Sequence, residues 1–333
     1  MKMKLIIQIP CHNEERVLPQ TYQDLPKSIE GIDTIEIQVI DDGSSDRTRE
    51  IAQNLGVQHI ISFKKKRGLA ATFKAGVDNA LRNGVDILVN TDADNQYNGR
   101  DIIKLVRPIL DGNSDIVVGC RPIDTHPEFS FIKKKFQKIG SWVLRKVSAT
   151  NVEDAASGFR AYSKEAMLHI NVFSDFSYCM ETLIQAGYNN LKISTVDIQV
   201  NPKTRESRLY KNIFQYIWKS GKTIISIFLL YRSNLIFTSL SATIFLIAIG
   251  LVIRYLILVA GYNIVGSYFW PTIVLAGILL AISFQMYLTG ILASLISSNR
   301  KLMEETLFRL KKMESDNSDT NKKNTGKDDS CVE

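Results

Sequence analysis

Two long stretches without charged residues constrain the fold of this chain more than any other feature. Residues 235 to 253 carry no charge, the apolar sequence resumes after Arg254, and residues 261 to 298 are again uncharged. A helix needs roughly 20 apolar residues to cross the hydrocarbon layer of a membrane. We therefore predict two membrane-spanning helices within residues 233 to 298, at about 235 to 260 and 269 to 296. The alternative is a helical hairpin inside a soluble core, which is disfavoured because such long uncharged runs are rare in soluble domains.

Basic residues flank these runs unevenly. The connection GYNIVGSY has no Lys or Arg, whereas residues 201 to 232 contain seven basic residues and a single acid, Glu206. By the positive-inside rule, this distribution predicts a multi-pass membrane protein whose N-terminal domain and both termini are cytoplasmic. Residues 209 to 232 mix aromatic, aliphatic and Lys side chains at helical spacing, which predicts an amphipathic helix at the membrane interface. Residues 299 to 333 predict a cytoplasmic helix with a leucine face, followed by a disordered polar tail.

The formal net charge of +7 needs a partner of opposite sign. No nucleic-acid-binding motif is present, and the positive charge is densest beside the apolar runs. Anionic lipid or a phosphate-bearing substrate therefore accounts for it better than nucleic acid. The four cysteines have neither metal-ligand nor disulfide spacing, which suits a reducing compartment, and no cleavable signal peptide is expected at the start. The leucine face near the C-terminus could pair with a second copy, so we also consider a homo-oligomer.

The first 120 residues alternate between strand and helix patterns. The strand-like runs are KLIIQIP, TIEIQVIDD, VQHIISF, DILVNTDAD and DIVVGC. Helical patterns lie between them at about 14 to 29, 46 to 55, 68 to 82 and 100 to 110. This alternation predicts an α/β fold with a mostly parallel sheet and helices on both faces.

A polar cluster follows each of the five predicted strands. The clusters read PCHNEE, DDGSSDRT, KKKRG, DADNQ and GCRP. In parallel sheets, ligands bind beyond the carboxyl ends of the strands, where all five clusters would meet. Part of this pattern has a simpler origin, because Ser45 or Asp46 can cap the following helix. Asp92 and Asp94 can aim at one point, and such oxygen ligands suit a divalent cation that also bridges substrate phosphates.

Four segments, IPCHNEE, VIDDGSSDRT, NTDADNQ and SGFRAYSKEA, resemble the successive motifs of the inverting family 2 glycosyltransferases with the GT-A fold, a Rossmann-like sheet architecture. Within that family, the chain most resembles membrane-bound polyprenyl-phosphate glycosyltransferases, such as the dolichyl-phosphate mannose synthases and the undecaprenyl-phosphate glucosyltransferases. The resemblance places a GT-A domain at residues 1 to 208. It implies transfer of a hexose from a UDP- or GDP-sugar to undecaprenyl or dolichyl phosphate, with Mg²⁺ or Mn²⁺ as cofactor.

The resemblance also implies roles for individual residues. The nucleotide would be bound by Pro10, His12, Glu14, Asp42 and Asp92. His12 departs from the tyrosine that the family usually has at this position. Metal ligands would be Asp92, Asp94 and Gln96. The candidate catalytic residues are Arg121, Arg205, Asp94 and Glu181, and the arginines would hold phosphates near the reacting carbon; a further phosphate-binding cation is expected near Lys133, Lys134 and Lys135.

Glu181 has two interpretations. It stands where relatives that glycosylate hydroxyl groups carry a general base, yet it also fits the apolar pattern of an amphipathic helix, where it would anchor a basic residue. A lipid phosphate is already an anion at neutral pH and needs no base. Two other functions stay open: a membrane synthase that extends a polysaccharide or glycolipid on hydroxyl acceptors, and a catalytically silent adaptor that binds nucleotide sugar or lipid phosphate. The two predicted spans and the lack of a Gln-x-x-Arg-Trp motif disfavour the first, and intact Asp92 and Asp94 disfavour the second.

Overall fold

The protein is described by a computed structural model covering residues 2–122, 152, 154–172, 178–202, 213–262 and 270–328. Within these ranges, residues 213–233, 261–262 and 317–328 are described by their backbone alone. The chain divides into two compact units. The first, called the catalytic unit below, comprises Met1–Ser220 and Glu305–Glu333, and the second comprises Gly221–Glu304.

A seven-stranded sheet forms the centre of the catalytic unit, with the strand order β3-β2-β1-β4-β6-β5-β7. The strands are β1 (Lys4–Cys11), β2 (Thr34–Asp41), β3 (His59–Ser62), β4 (Ile87–Asn90), β5 (Ile116–Cys120), β6 (Arg160–Ser163) and β7 (Ile193–Asp197). Strands β1 to β4 are parallel, and β6 runs antiparallel to both β4 and β5. All five strands predicted from the sequence therefore run in one direction, and their carboxyl ends lie at the same edge of the sheet.

A helix follows each of the first four strands, as predicted, but the first of these helices is much shorter than predicted. Two further helices follow β6. The helices are α1 (Leu18–Gln23), α2 (Thr48–Asn54), α3 (Leu69–Arg82), α4 (Ile102–Leu110), α5 (Lys164–His169) and α6 (Tyr178–Tyr188). A helix was predicted over about 14 to 29, but it ends at Gln23 because Pro26 disfavours the helical conformation in the residue before it. Asp46 Oδ1 accepts a hydrogen bond of 3.0 Å from the backbone N–H of Thr48, the first residue of α2, although Arg47 and not Asp46 occupies the N-cap position.

Apolar side chains fill one face of the sheet. Leu5, Ile7 and Ile9 of β1 alternate with residues that point to the opposite face, and each is fully buried. They pack in one cluster with buried residues of α4, including Leu105 and Val106. The residues of β1 that point to the opposite face are largely buried too. Burial on both faces holds the strands of a parallel sheet rigidly, so the loops at the carboxyl edge start from fixed points.

Two long helices occupy the C-terminal part of the chain: α7 (Ile213–Tyr262) and α8 (Trp270–Asp328). Asn234–Ala260 and Trp270–Asp316 are long and apolar enough to cross a membrane, by length and composition. The predicted interfacial helix is continuous with the first of these segments, because no proline interrupts residues 213 to 262. Within the second unit, Ser241 and Ser283 join the two helices, since the hydroxyl of each donates to the backbone carbonyl of the other at 2.9 and 3.0 Å.

Helix α8 runs through the residues for which a disordered tail was predicted, as far as Asp328. Its C-terminal part packs within the catalytic unit, where the Phe308 ring stacks on His169 with centroids 4.2 Å apart. Lys311 Nζ donates to the Ile170 backbone carbonyl at 2.7 Å. These contacts lie in the segment for which a cytoplasmic helix was predicted, and composition alone could not reveal them.

Candidate active site

The DADNQ segment directly follows β4 at the carboxyl edge of the sheet. Asp92, Asp94 and Gln96 are each half-buried, and they alternate with buried neighbours. Asn95 adopts φ 55°, in the left-handed region, and the Gln96 backbone N–H donates to Asp94 Oδ1 at 3.2 Å. The Ala93 backbone carbonyl accepts a hydrogen bond of 2.9 Å from the Thr21 hydroxyl. The loop is thus fixed by its buried residues, while its three candidate metal ligands keep partial access to solvent.

Asp92 lies against the SGF segment that precedes β6. A Cβ atom at Gly158 would be 3.4 Å from Asp92 Oδ1 and 3.0 Å from the Tyr178 hydroxyl oxygen. Glycine therefore allows the loop backbone to approach both side chains closely. Burial raises the pKa of Tyr178 well above its usual value, and Cys179 and Asp92 add to that rise, so the hydroxyl stays neutral.

These residues fit a metal that keeps part of its coordination for other ligands. Within the described ranges, His, Cys, Asp and Glu side chains form no group of three or more that could hold a metal ion by itself. Asp92, Asp94 and the Gln96 amide offer oxygen atoms only, as Mg²⁺ and Mn²⁺ prefer. Two carboxylates and one amide would leave part of the coordination shell of such a metal open to oxygens of a bound ligand.

The loops after β1 and β2 are tied together at the same edge. The Asn13 backbone N–H donates to Ser44 Oγ at 2.9 Å, and the Glu14 backbone N–H donates to Thr48 Oγ1 at 2.8 Å. Pro10 and His12 are half-buried beside this junction, whereas Glu14 is buried. Three of the five residues predicted to bind the nucleotide, Pro10, His12 and Glu14, therefore lie on a rigid support.

Asp41 and Asp42 are both buried and have backbone partners in the structure. Asp41 Oδ1 accepts from the Ser44 backbone N–H at 2.9 Å. The Asp42 carboxylate accepts from the backbone N–H groups of Arg67 and Gly68 at 2.6 and 3.0 Å. Backbone N–H groups therefore supply hydrogen-bond partners for both of these adjacent carboxylates. Asp42 also holds the KKKRG loop, whose three lysines are exposed, at the carboxyl edge.

Arg121 follows β5 and is held by a buried carboxylate that the sequence did not identify as its partner. Its Nε and Nη2 atoms donate to the two carboxylate oxygens of Asp154 at 2.7 and 3.0 Å. Asp154 is fully buried, and the Arg121 side chain is 20% exposed. Burial alone would lower the pKa of Arg121, but Tyr97 and Asp154 raise it above its usual value, so the guanidinium is charged. Asp154 thus binds the Nε and Nη2 atoms of Arg121 and thereby fixes the orientation of its guanidinium group.

Tyr97 also lies in the site, although the sequence gave no strong signal for it. It is buried, and its ring stacks on Phe159 with centroids 4.8 Å apart. The Gly158 backbone N–H donates to the Tyr97 hydroxyl at 3.4 Å. Burial raises the pKa of Tyr97 well above its usual value. Tyr97 continues the alternation of buried and half-buried residues that begins at Thr91 in the structure.

Glu181 lies in α6 and is 3% exposed. Its Oε1 atom accepts from the Gln185 amide, one helical turn later, at 3.5 Å. Gln185 is not a basic residue, so this contact tests neither the predicted anchoring of a basic residue nor the role of a general base. Two other predictions, Arg205 and the lysines at 133 to 135, lie outside the described residues.

Sequence and structure comparisons agree with this architecture. The family described as "Glycosyl transferase family 2" matches residues 6–170. The chain is 30% identical over 225 residues to the UDP-N-acetylglucosamine–dolichyl-phosphate N-acetylglucosaminyltransferase of Methanococcus voltae, covering 60% of this chain and 86% of that one. It is 32% identical over 228 residues to the dolichol-phosphate mannosyltransferase of Pyrococcus furiosus, covering 65% of this chain and 62% of that one.

A similar fold occurs in glucosyl-3-phosphoglycerate synthase from Mycobacterium tuberculosis, crystallised with Mn²⁺, UDP and glucosyl-3-phosphoglycerate. The TM-score is 0.53 at 18% identity, and the match covers 68% of this chain and 79% of that one. At this identity, the match establishes the fold alone. The dolichyl-phosphate enzyme of Methanococcus voltae is similar over most of its own length, which establishes the family. The chain is therefore a glycosyltransferase that belongs to family 2.

Proposed function

We propose that this glycosyltransferase transfers a hexose from a UDP- or GDP-sugar to a polyprenyl phosphate, such as undecaprenyl or dolichyl phosphate, with inversion at the sugar carbon. The observation that carries the proposal is the position of Asp92, Asp94 and Arg121 at one edge of the sheet, where anionic and cationic groups can bind a metal-bound diphosphate. The acceptor class is supported by the relatives from Methanococcus voltae and Pyrococcus furiosus, which are a dolichyl-phosphate N-acetylglucosaminyltransferase and a dolichol-phosphate mannosyltransferase.

Asp92, Asp94 and Gln96 would hold the metal, Mg²⁺ or Mn²⁺. When bound, such a metal neutralises charge that develops on the leaving diphosphate. Arg121 is charged and oriented by Asp154, so it can contribute to the same stabilisation without rearranging during the reaction. Arg205 is proposed to act likewise on the basis of the family resemblance.

An anionic acceptor explains how the site can work without a strong general base. A lipid phosphate oxygen attacks as an anion, whereas a hydroxyl acceptor must first lose a proton. Glu181 is buried and bonded to Gln185, which supports a structural role rather than proton transfer. We therefore assign Glu181 to the support of α6 and not to the chemistry.

The proposed activity implies that the enzyme is a membrane protein and that the reaction takes place at the cytoplasmic face of the membrane. Polyprenyl phosphates are lipids, and the two apolar helices are long enough to place the enzyme in the same bilayer. The basic residues between 201 and 232 would face the anionic headgroups and lie on the cytoplasmic side by the positive-inside rule.

The test uses the full chain in detergent or lipid with Mn²⁺, a panel of labelled UDP- and GDP-hexoses, and undecaprenyl or dolichyl phosphate. We expect a labelled lipid that requires one donor and the metal. Absence of a sugar lipid with every donor would refute the proposal, and polymer formation on hydroxyl acceptors would favour the polysaccharide synthase.

Asp94→Asn should abolish metal-dependent donor binding, whereas Asp111→Asn, a control on the exposed end of α4, should bind donor like the wild type. Unchanged donor affinity in Asp94→Asn would refute the metal role.

A further inference from the structure

A row of polar side chains crosses the sheet on the face opposite the apolar cluster. Gln38, Gln8, Asn90 and Arg160 lie on the adjacent strands β2, β1, β4 and β6, and each is paired in register with the next. All four side chains are fully buried. We call these four residues the transverse row.

The amides of the transverse row form a continuous chain of hydrogen bonds. Asn79 of α3 donates to Gln38 at 3.0 Å, Gln38 donates to Gln8 at 3.0 Å, and Gln8 donates to Asn90 at 2.8 Å. Each amide accepts from one neighbour and donates to the next, so the chain has one direction. Gly76 allows this arrangement, because a Cβ atom there would overlap the Gln8 amide oxygen.

The chain ends at the candidate active site. The Asn90 Nδ2 atom donates to the Gly158 backbone carbonyl at 2.8 Å and to the Tyr178 hydroxyl at 2.9 Å. A Cβ atom at Gly158 would contact both the Tyr178 hydroxyl and Asp92 Oδ1, so these two groups lie on the same side of Gly158. Asn90 itself is two residues before Asp92 in the same strand-to-loop segment. One amide therefore joins the strand that carries the DADNQ loop to the SGF segment and to the start of α6.

Arg160 completes the row and holds the same two elements. Its guanidinium donates to the backbone carbonyls of Ser157 and Ala155, each at 2.8 Å, in the loop that contains Asp154. It also donates to the Cys179 backbone carbonyl at 2.7 Å and to Thr182 Oγ1 at 3.0 Å, both in α6. These bonds fix the loop that orients Arg121 to the helix that begins with Tyr178.

We propose that Asn90, Arg160 and Tyr178 are positioning residues, which hold the 154–159 loop and the first turn of α6 against Asp92 in the geometry needed for sugar transfer. This inference rests on the proposed function. Stability alone is a weaker explanation, because an apolar row of similar volume would serve a buried sheet face as well.

Two tyrosines provide a matched pair of variants. Tyr178 and Tyr162 are both fully buried and both pack on Phe73, with ring centroids 4.1 and 5.5 Å away. Burial raises the pKa of Tyr162 to about 12 and that of Tyr178 well above its usual value, so both hydroxyls are neutral at assay pH. Only Tyr178 bonds Asn90 through its hydroxyl, whereas the Tyr162 hydroxyl lies beside Arg160 and Thr182 and makes no hydrogen bond of good geometry among the described residues.

The experiment compares Tyr178→Phe with Tyr162→Phe in the full-length enzyme, at saturating and limiting donor and lipid phosphate. We expect Tyr178→Phe to lower kcat by about 10- to 100-fold with little change in the KM of the donor, as a displaced reacting group would. Tyr162→Phe should keep the wild-type kcat. Equal kcat values for the two variants would overturn the proposal, even if their thermal midpoints differ.

Hydrogen exchange supplies a readout that needs no substrate. Backbone amides of residues 154 to 160 should exchange faster in Tyr178→Phe than in Tyr162→Phe, because only the first loses a bond to Asn90 and Gly158. Equal exchange would overturn the proposal as well. If the wild-type enzyme forms no sugar lipid, the proposed function fails by itself, and exchange still decides whether Tyr178 holds this loop.

Discussion

Asp154→Asn is the substitution whose effect follows most directly from the structure. The Asp154 carboxylate is fully buried and binds Arg121 through two hydrogen bonds of 2.7 and 3.0 Å. Asparagine keeps the shape and one acceptor oxygen, but it replaces the second acceptor with an NH₂ group that faces a donor. The guanidinium would then remain largely buried without its counter-charge.

The expected cost is large for a single-atom change. Breaking a buried ion pair by removing one partner costs about 3 to 5 kcal/mol, and the lower end applies because the Arg121 side chain is 20% exposed. For a domain of this size, each kcal/mol lowers the thermal midpoint by about 2 to 4 °C, so a loss of about 3 kcal/mol corresponds to roughly 6 to 12 °C. Turnover should fall too, because Arg121 loses the group that orients it.

The assay measures the thermal midpoint of the purified full chain alongside turnover, with Asp111→Asn as the matched control. Asp111 makes the same kind of ion pair with Arg107, at 3.2 Å, but the two side chains are 44% and 57% exposed. An exposed pair contributes about 0 to 1 kcal/mol, so the control should shift the midpoint by less than about 4 °C. Equal shifts in the two variants would refute the reasoning.

Removing both partners separates stability from function. The double variant Arg121→Met with Asp154→Leu removes both charges of this buried pair together, and such replacements are often neutral or stabilising. The thermal midpoint should therefore recover towards that of the wild type, while turnover stays low. Recovery of turnover as well would show that Arg121 has no part in the reaction.

Three further predictions concern single residues. Arg205→Ala should lower turnover without lowering the thermal midpoint, because its proposed role is to bind phosphate; wild-type turnover would remove it from the site. Glu181→Gln should keep transfer to a lipid phosphate, which needs no base, and loss of product formation in a correctly folded variant would contradict this. Burial raises the pKa of Glu36, but hydrogen bonds from Lys4 and His59 outweigh it and lower the pKa below its usual value. Ionised Glu36 should thus stabilise the fold above about pH 4.3, and this effect should be lost as the pH falls through its folded-state pKa. The thermal midpoint of Glu36→Gln should therefore fall less steeply than that of the wild type between about pH 5 and 3. Equal slopes of thermal midpoint against pH in the two proteins would contradict this prediction.

The sequence was sufficient to predict the five parallel-running strands and the edge that collects the polar clusters. Each of these strands is an apolar run that ends in polar residues, and local pattern is strong in such segments. Strands β6 and β7 were missed because RAYS and ISTVD are short and mix polar with apolar residues. The antiparallel insertion of β6 between β4 and β5 depends on pairing that no local pattern contains.

The support of the site was less accessible than its ligands. Gln8 is a single polar residue in an apolar run, Gln38 follows Glu36 in an alternating strand, and Asn90 ends β4; only the strand register brings the three together. The pairing of Arg121 with Asp154 spans 33 positions in sequence. Long-range contacts of this kind are set by tertiary packing, so periodicity and motif spacing do not reveal them.

The most direct test of the central claim is the location of Mn²⁺ by anomalous diffraction, in crystals of the full chain grown with Mn²⁺ and UDP or GDP. The account predicts an anomalous peak about 2.0 to 2.6 Å from a carboxylate oxygen of Asp94 or Asp92, with the diphosphate on the side of Arg121. A nucleotide bound elsewhere, or a peak distant from both carboxylates, would contradict the assignment of this sheet edge as the donor site.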